Sequence, residues 1–160
     1  MRCTNRNMEK LLHIANEKET EKLGEAIGRT AAPGMVIALI GDLGTGKTTL
    51  TKSIARGLGV TETVTSPTFN IIREYESGRI PLYHFDVYRI ADPDEMFELG
   101  YEEYFYGDGV CVVEWADIIE ELLPEDAVII RIDRGEGEEE REYRIEGGEI
   151  EGISQDTCTF

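Results

Sequence analysis

Apolar residues in this chain fall into short runs of two kinds. VIALI, residues 36–40, and VCVV, residues 110–113, are unbroken apolar stretches, the pattern of central strands covered on both faces. Leu11–Ala15, Val128–Asp133 and Glu142–Ile145 are also strand-like. Residues 69–75 and 80–89 read as two strands joined at Glu76-Ser77-Gly78-Arg79. A gap that short makes a hairpin, so part of the sheet should run antiparallel. Between these runs the period is helical. Asn16 is placed to cap a helix, with Glu19 three residues on as in a capping box. Leu23, Ala26 and Ile27 supply its apolar stripe, and its end is expected near Arg29–Ala32, before Pro33-Gly34. A second helix is predicted from Lys47 to about Arg56, with Gly57 and Gly59 suited to stop it. Asp92-Pro93 opens a short helix near 94–99, and Asp117–Leu123 forms a last one, ended by Pro124. Strands alternating with helices, plus hairpins, predict an α/β fold with a mixed sheet.

One turn in this pattern carries chemistry. GDLGTGKT, residues 41–48, matches G-x-x-x-x-G-K-[ST], with a buried strand before it and a helix after it, as the motif requires. Gly41, Gly44 and Gly46 permit the turns that aim successive N–H groups at phosphate oxygens, with Asp42, Leu43 and Thr45 between them. The following helix presents its positive end, including Thr49, to the same anion. Lys47 is expected to reach the β- and γ-phosphates, and Thr48 to offer a hydroxyl to Mg²⁺. A P-loop also needs a carboxylate for its metal. Glu114 follows the apolar run VCVV, and Asp86 lies in YHFDVYRI. Either acid alone reads as a solvated strand end; beside a P-loop, both read as functional. TSPTF, residues 65–69, is a third element. Pro67 disfavours helix at Ser66, and Thr68 is either a local cap or a switch hydroxyl that meets the metal when a γ-phosphate is present. His13 and His84 read as packed or hydrogen-bonded residues, although His84 shares a strand face with Asp86.

Composition narrows the function further. The chain has 160 residues and 33 acids against 16 Lys and Arg, a net charge of −17. Such a surface repels nucleic acid unless positive charge is concentrated somewhere, and the sequence shows no basic cluster. Cys3, Cys111 and Cys158 are too scattered for a disulfide framework or metal site, and Cys111 belongs to an apolar run. No apolar stretch is long enough for a signal peptide or membrane span. A soluble, cytoplasmic protein is expected, without membrane association. N-K-x-D, the guanine-reading element of GTPases, is absent, so ATP is expected over GTP.

GDLGTGKTTL, SPTF, YHFDVYRI with a following DPDE, and VEW, in this order and spacing, resemble the TsaE (YjeE) family. These are P-loop ATPases required for threonylcarbamoyladenosine (t6A) formation on tRNA. The similarity spans about residues 11–145. It implies a single-domain P-loop NTPase fold over residues 1–150, with a mixed parallel and antiparallel sheet flanked by helices. Residues 151–160 are expected to be a frayed tail. It implies ATP and Mg²⁺ as ligands, and weak hydrolysis completed by partners. Those partners would be TsaD and TsaB, which place the threonylcarbamoyl group on adenosine 37 of tRNA. By the family pattern, Thr48 and Glu114 match magnesium-associated positions and Lys47 the phosphate-binding lysine. Thr68 and Asp86 match the switch threonine and the acid of hydrolysis, and Trp115 matches the tryptophan after the metal-side acid. NEKET, residues 16–20, and REYR, residues 141–144, resemble segments near the base, which makes Glu17, Thr20 and Arg141 base-site candidates. The acidic loop 135–140 carries no family signal. A P-loop small-molecule kinase is the alternative; its transferring phosphate would need cationic residues nearby, for which Arg73, Arg79 and Arg89 are available.

Overall fold

The expected strands pair into one sheet. A computed structural model describes residues 9–42, 44–67 and 70–147 of the chain. Its strands are β1 (Glu9–Ile14), β2 (Val36–Gly41), β3 (Ile72–Tyr75), β4 (Leu82–Asp86), β5 (Val110–Glu114), β6 (Val128–Arg134) and β7 (Arg141–Glu146). They lie in the order β1-β7-β6-β2-β5-β4-β3. The centre is parallel: β6, β2, β5 and β4 run together. The flanks are antiparallel, with β7 on β6, β1 on β7, and β3 on β4. The mixed α/β architecture therefore stands as predicted.

The continuous apolar strands are covered on both faces, as their composition demands. On one face, Ile37, Leu39, Val110 and Val112 pack with Leu23, Ile27, Leu50 and Ile54. The last four come from helices α1 (Glu17–Thr30) and α2 (Lys47–Leu58). On the other face, Ala38, Phe85, Cys111 and Val113 pack with Met96, Tyr101, Phe105 and Ile119. These belong to α3 (Glu95–Glu98), α4 (Tyr101–Phe105) and a 3₁₀ segment, Ala116–Leu122. Burial pushes the Cys111 thiol up to about 12, which suits an inert core side chain.

Local chemistry explains the helix ends. The Asn16 side chain accepts from Glu19 N at 3.0 Å, while the Glu19 carboxylate accepts from Ala15 N at 2.8 Å. This is the expected reciprocal cap, reaching one residue further back. Helix α2 runs through Gly57 and stops at Gly59, whose φ is 87°. Gly57 is needed for space: a Cβ there would sit 2.3 Å from Glu25 O of α1. The other differences are also local. The short helix 94–99 is α3, and α4 follows it unpredicted. The 117–123 segment is 3₁₀ rather than α, with Ile119 out of helical geometry. Both are too short to show a helical period. The hairpin strands are shorter than expected, because Asp86 ends the pairing of β4 with β5. Residue 69, at the start of the predicted first hairpin strand, and the predicted tail lie outside the described residues.

Candidate functional site

The parallel strands β2, β5 and β4 end side by side. Leu39 pairs with Glu114, and Glu114 with Asp86, so the carboxyl edge brings the P-loop and both acids to one place. That edge is where open α/β sheets hold ligands.

The loop from Gly41 to Gly46 is tied to itself. Asp42 O accepts from Thr45 N at 3.2 Å and from Thr45 Oγ1 at 2.8 Å. Gly46 has φ of 100° and forms the N-cap of α2 with no side-chain bond to the first turn. A residue with a Cβ would be strained there, and an oxygen-bearing cap would occupy the N–H groups that an anion needs. Leu43 lies outside the described residues. Lys47 is 5% exposed. Its Nζ donates to Gly41 O at 2.7 Å and Asp42 O at 2.8 Å, and sits 4.2 Å from the centre of the Trp115 ring. Burial lowers the Lys47 pKa, opposed chiefly by the charge of Glu114.

Glu114 is 3% exposed and surrounded by donors. Its Oε1 accepts from Thr48 Oγ1 at 3.4 Å. Its Oε2 accepts from Thr51 Oγ1 at 3.5 Å and lies 2.6 Å from His84 Nε2. Thr48 Oγ1 is also 3.3 Å from Ser66 Oγ, in the loop that precedes Thr68. Thr68 itself lies outside the described residues. Burial raises the Asp86 pKa, the N–H of Tyr88 opposes it, and Glu114 adds to the rise. Asp86 Oδ1 accepts from Tyr88 N at 3.1 Å.

Trp115 has φ 63° and ψ 36°, the one positive φ outside glycine among the described residues. A bulky residue in that region is costly and is tolerated where the surroundings hold it. Its indole packs at a tilt against Tyr88, with centroids 4.7 Å apart, and lies under the Lys47 ammonium.

On the other side of the loop, Glu17, Thr20, Thr45, Gly46, Thr49, Glu139 and Arg141 line a cleft of about 60 Å³. Arg141 fixes its wall: Nε donates to Thr45 O at 3.1 Å and Nη1 to Glu138 O at 2.9 Å. The three base-site candidates thus meet beside the P-loop. Glu139, from the acidic loop, had no sequence signal. Thr51 and Ser66 also escaped the sequence reading, as did the contact that His84 makes. The only hint for His84 was its place two residues before Asp86.

A family model described as "Threonylcarbamoyl adenosine biosynthesis protein TsaE" matches residues 14–143. The chain belongs to the TsaE family. It is 54% identical over 127 residues to the tRNA threonylcarbamoyladenosine biosynthesis protein TsaE of Bacillus subtilis, covering 79% of this chain and 78% of that one. The TsaE protein of Treponema pallidum is 41% identical over 132 residues, 82% of this chain and 90% of its own. The crystal structure of Bacillus subtilis YdiB superposes with a TM-score of 0.76 at 42% identity, covering 95% of this chain and 93% of that one. A TsaE-type single-domain fold is thereby shown for this chain. Among the described residues, no helix is long and apolar enough to cross a membrane.

Proposed function

We propose that this TsaE-family chain is a Mg²⁺-dependent ATPase that serves t6A formation on tRNA, acting as an ATP-dependent switch on the TsaB–TsaD pair. The observation that carries the reading is the pairing of Thr48 Oγ1 with Glu114 Oε1 at 3.4 Å, directly after the glycine loop. Magnesium takes hard oxygen ligands and keeps several waters. A hydroxyl and a carboxylate at the mouth of a phosphate loop fit it, and the bound metal would neutralise charge on the phosphate oxygens.

The other residues divide the work by position. The first-turn N–H groups of α2 and Lys47 would bind phosphate oxygens. Lys47 would exchange its carbonyl partners, Gly41 O and Asp42 O, for them. Asp86 sits beside Glu114 in register and would orient the attacking water. Thr68 would sense the γ-phosphate. Glu17, Thr20 and Arg141 would hold the base in the cleft they line. Trp115 would lie against the phosphates.

The kinase alternative loses support from its arginines. Arg79 Nη2 donates to Gly28 O, Arg29 O and Ala31 O, at the end of α1. Arg73 Nη1 donates to Thr65 Oγ1 at 2.9 Å. Arg79 is therefore committed away from any lid over the phosphates, and Arg73 is held by the loop that carries Ser66. The deciding experiment measures ATP turnover by the isolated chain and with purified TsaB–TsaD, across a magnesium titration. Magnesium-dependent turnover that rises with the pair is expected. Rapid phosphorylation of a metabolite, with no response to the pair, would favour the kinase.

A further inference from the structure

We infer that His84 is a positioning residue, holding Glu114 in the orientation that serves the nucleotide metal. The inference rests on the reading of Glu114 as the magnesium-side carboxylate.

The two oxygens of Glu114 are divided between two environments. Oε1 faces the Thr48 hydroxyl. Oε2 faces inward, to His84 Nε2 at 2.6 Å and the Thr51 hydroxyl at 3.5 Å. The histidine contact is by far the shortest, and both of its partners are buried. A hydrogen bond to a carboxylate is stronger than a neutral one, so this bond dominates the choice of side-chain rotamer. It reaches across the sheet from β4, because the parallel register sets His84 beside Val112, two residues before Glu114 on the same face.

His84 Nδ1 is buried with no hydrogen-bond partner among the described residues. A carboxylate only accepts, so Nε2 carries the hydrogen. The ring therefore aims one donor at Oε2. Its function is to leave Oε1 presented to Thr48 and the metal. Partners that orient a metal-binding carboxylate are worth about 10–100-fold in metal affinity.

A histidine that only filled the core would act through stability alone. Two variants separate the cases. His84→Gln places an amide N–H near the position of Nε2. His84→Asn carries the same group but ends near Nδ1, short of Glu114. Titration calorimetry on the full chain gives ATP affinity without metal, and the magnesium concentration for half-maximal ATP binding. His84→Asn is expected to raise that concentration by about 10–100-fold and to leave metal-free ATP binding unchanged, while His84→Gln restores most of the loss. In the nucleotide-free wild type, two-bond ¹⁵N–¹H correlations are expected to show a hydrogen on Nε2. Equal magnesium responses in the two variants would overturn the inference, as would an Nε2 that carries no hydrogen. Wild-type ATP binding that ignores magnesium would instead overturn the magnesium reading of Glu114, and the inference with it.

Discussion

Lys47 holds its charge against main-chain carbonyls and an indole, with no carboxylate bonded to it among the described residues. Phosphate oxygens are better partners, so ligand binding should draw it away. Lys47→Ala is expected to abolish stabilisation by Mg-ATP while the protein still folds. At ~100 times the dissociation constant, wild type should gain about 2.7 kcal/mol. Melting curves with and without Mg-ATP check this, and an unchanged shift in the variant would refute the phosphate assignment. Glu114→Gln keeps shape and removes charge. It should weaken Mg-ATP binding much more than metal-free binding, read from the same magnesium titration. Trp115 is the only tryptophan, so its emission follows the site without an added label.

Asp86 gives a pH prediction. Burial raises its folded pKa above the unfolded value of about 3.9. The native state then holds the proton longer than the unfolded chain does. This contribution to stability is complete below the unfolded value and lost as pH rises through the folded one. At neutral pH the charge is therefore a cost. Asp86→Asn preserves the acceptor for Tyr88 N and removes that cost. The variant should melt higher at pH 7, lose this part of the acid-range dependence, and hydrolyse ATP poorly with the TsaB–TsaD pair. Lower stability at pH 7 would contradict the burial argument.

At the scale of elements, the site depends on how α1 crosses α2. The two helices touch backbone to backbone: a Cβ at Gly28 would sit 2.2 Å from Ile54 O, and one at Gly24 would sit 2.4 Å from Ser53 Cβ. In an exposed helix, replacing glycine by alanine gains up to ~1 kcal/mol. Here overpacking, worth about 1–3 kcal/mol, should win. Gly28→Ala is expected to lower the urea midpoint and to weaken ATP binding, because α2 carries the phosphate end. Equilibrium unfolding settles the sign. The helices themselves were legible from Asn16, Glu19 and the apolar stripe Leu23–Ile27. Their close crossing was not, since it depends on which glycines face each other, a relation between segments about 30 residues apart.

The whole molecule carries a charge of −17. Repulsion of phosphate backbones is long-ranged and falls with salt. The isolated chain should therefore bind tRNA weakly, and filter binding across a salt series should show no steep loss of a strong complex. Tight binding that vanishes with salt would instead reveal a concentrated basic surface. The acidity also fits a role exerted on protein partners rather than on tRNA directly.

What is contiguous is legible in the sequence. The glycine loop, its lysine and threonine, and the apolar runs of β2 and β5 are local patterns with local physical causes. Asn16 and Gly59 end their helices through bonds and dihedrals within a few residues. Family resemblance added Glu17, Thr20 and Arg141, and their common cleft is a product of pairing β1–β7–β6 around the loop. What Glu114 touches depends on how distant segments pack together. An acid at the end of VCVV needed compensation for burial, and magnesium was the reason available from sequence. The parallel register of β4 on β5 supplies another, by setting His84 against Glu114 from 30 residues away. Strand order is not written in either segment. It emerges when all the strands bury their apolar faces at once, so a histidine that looked like core packing becomes the closest partner of the site's buried carboxylate.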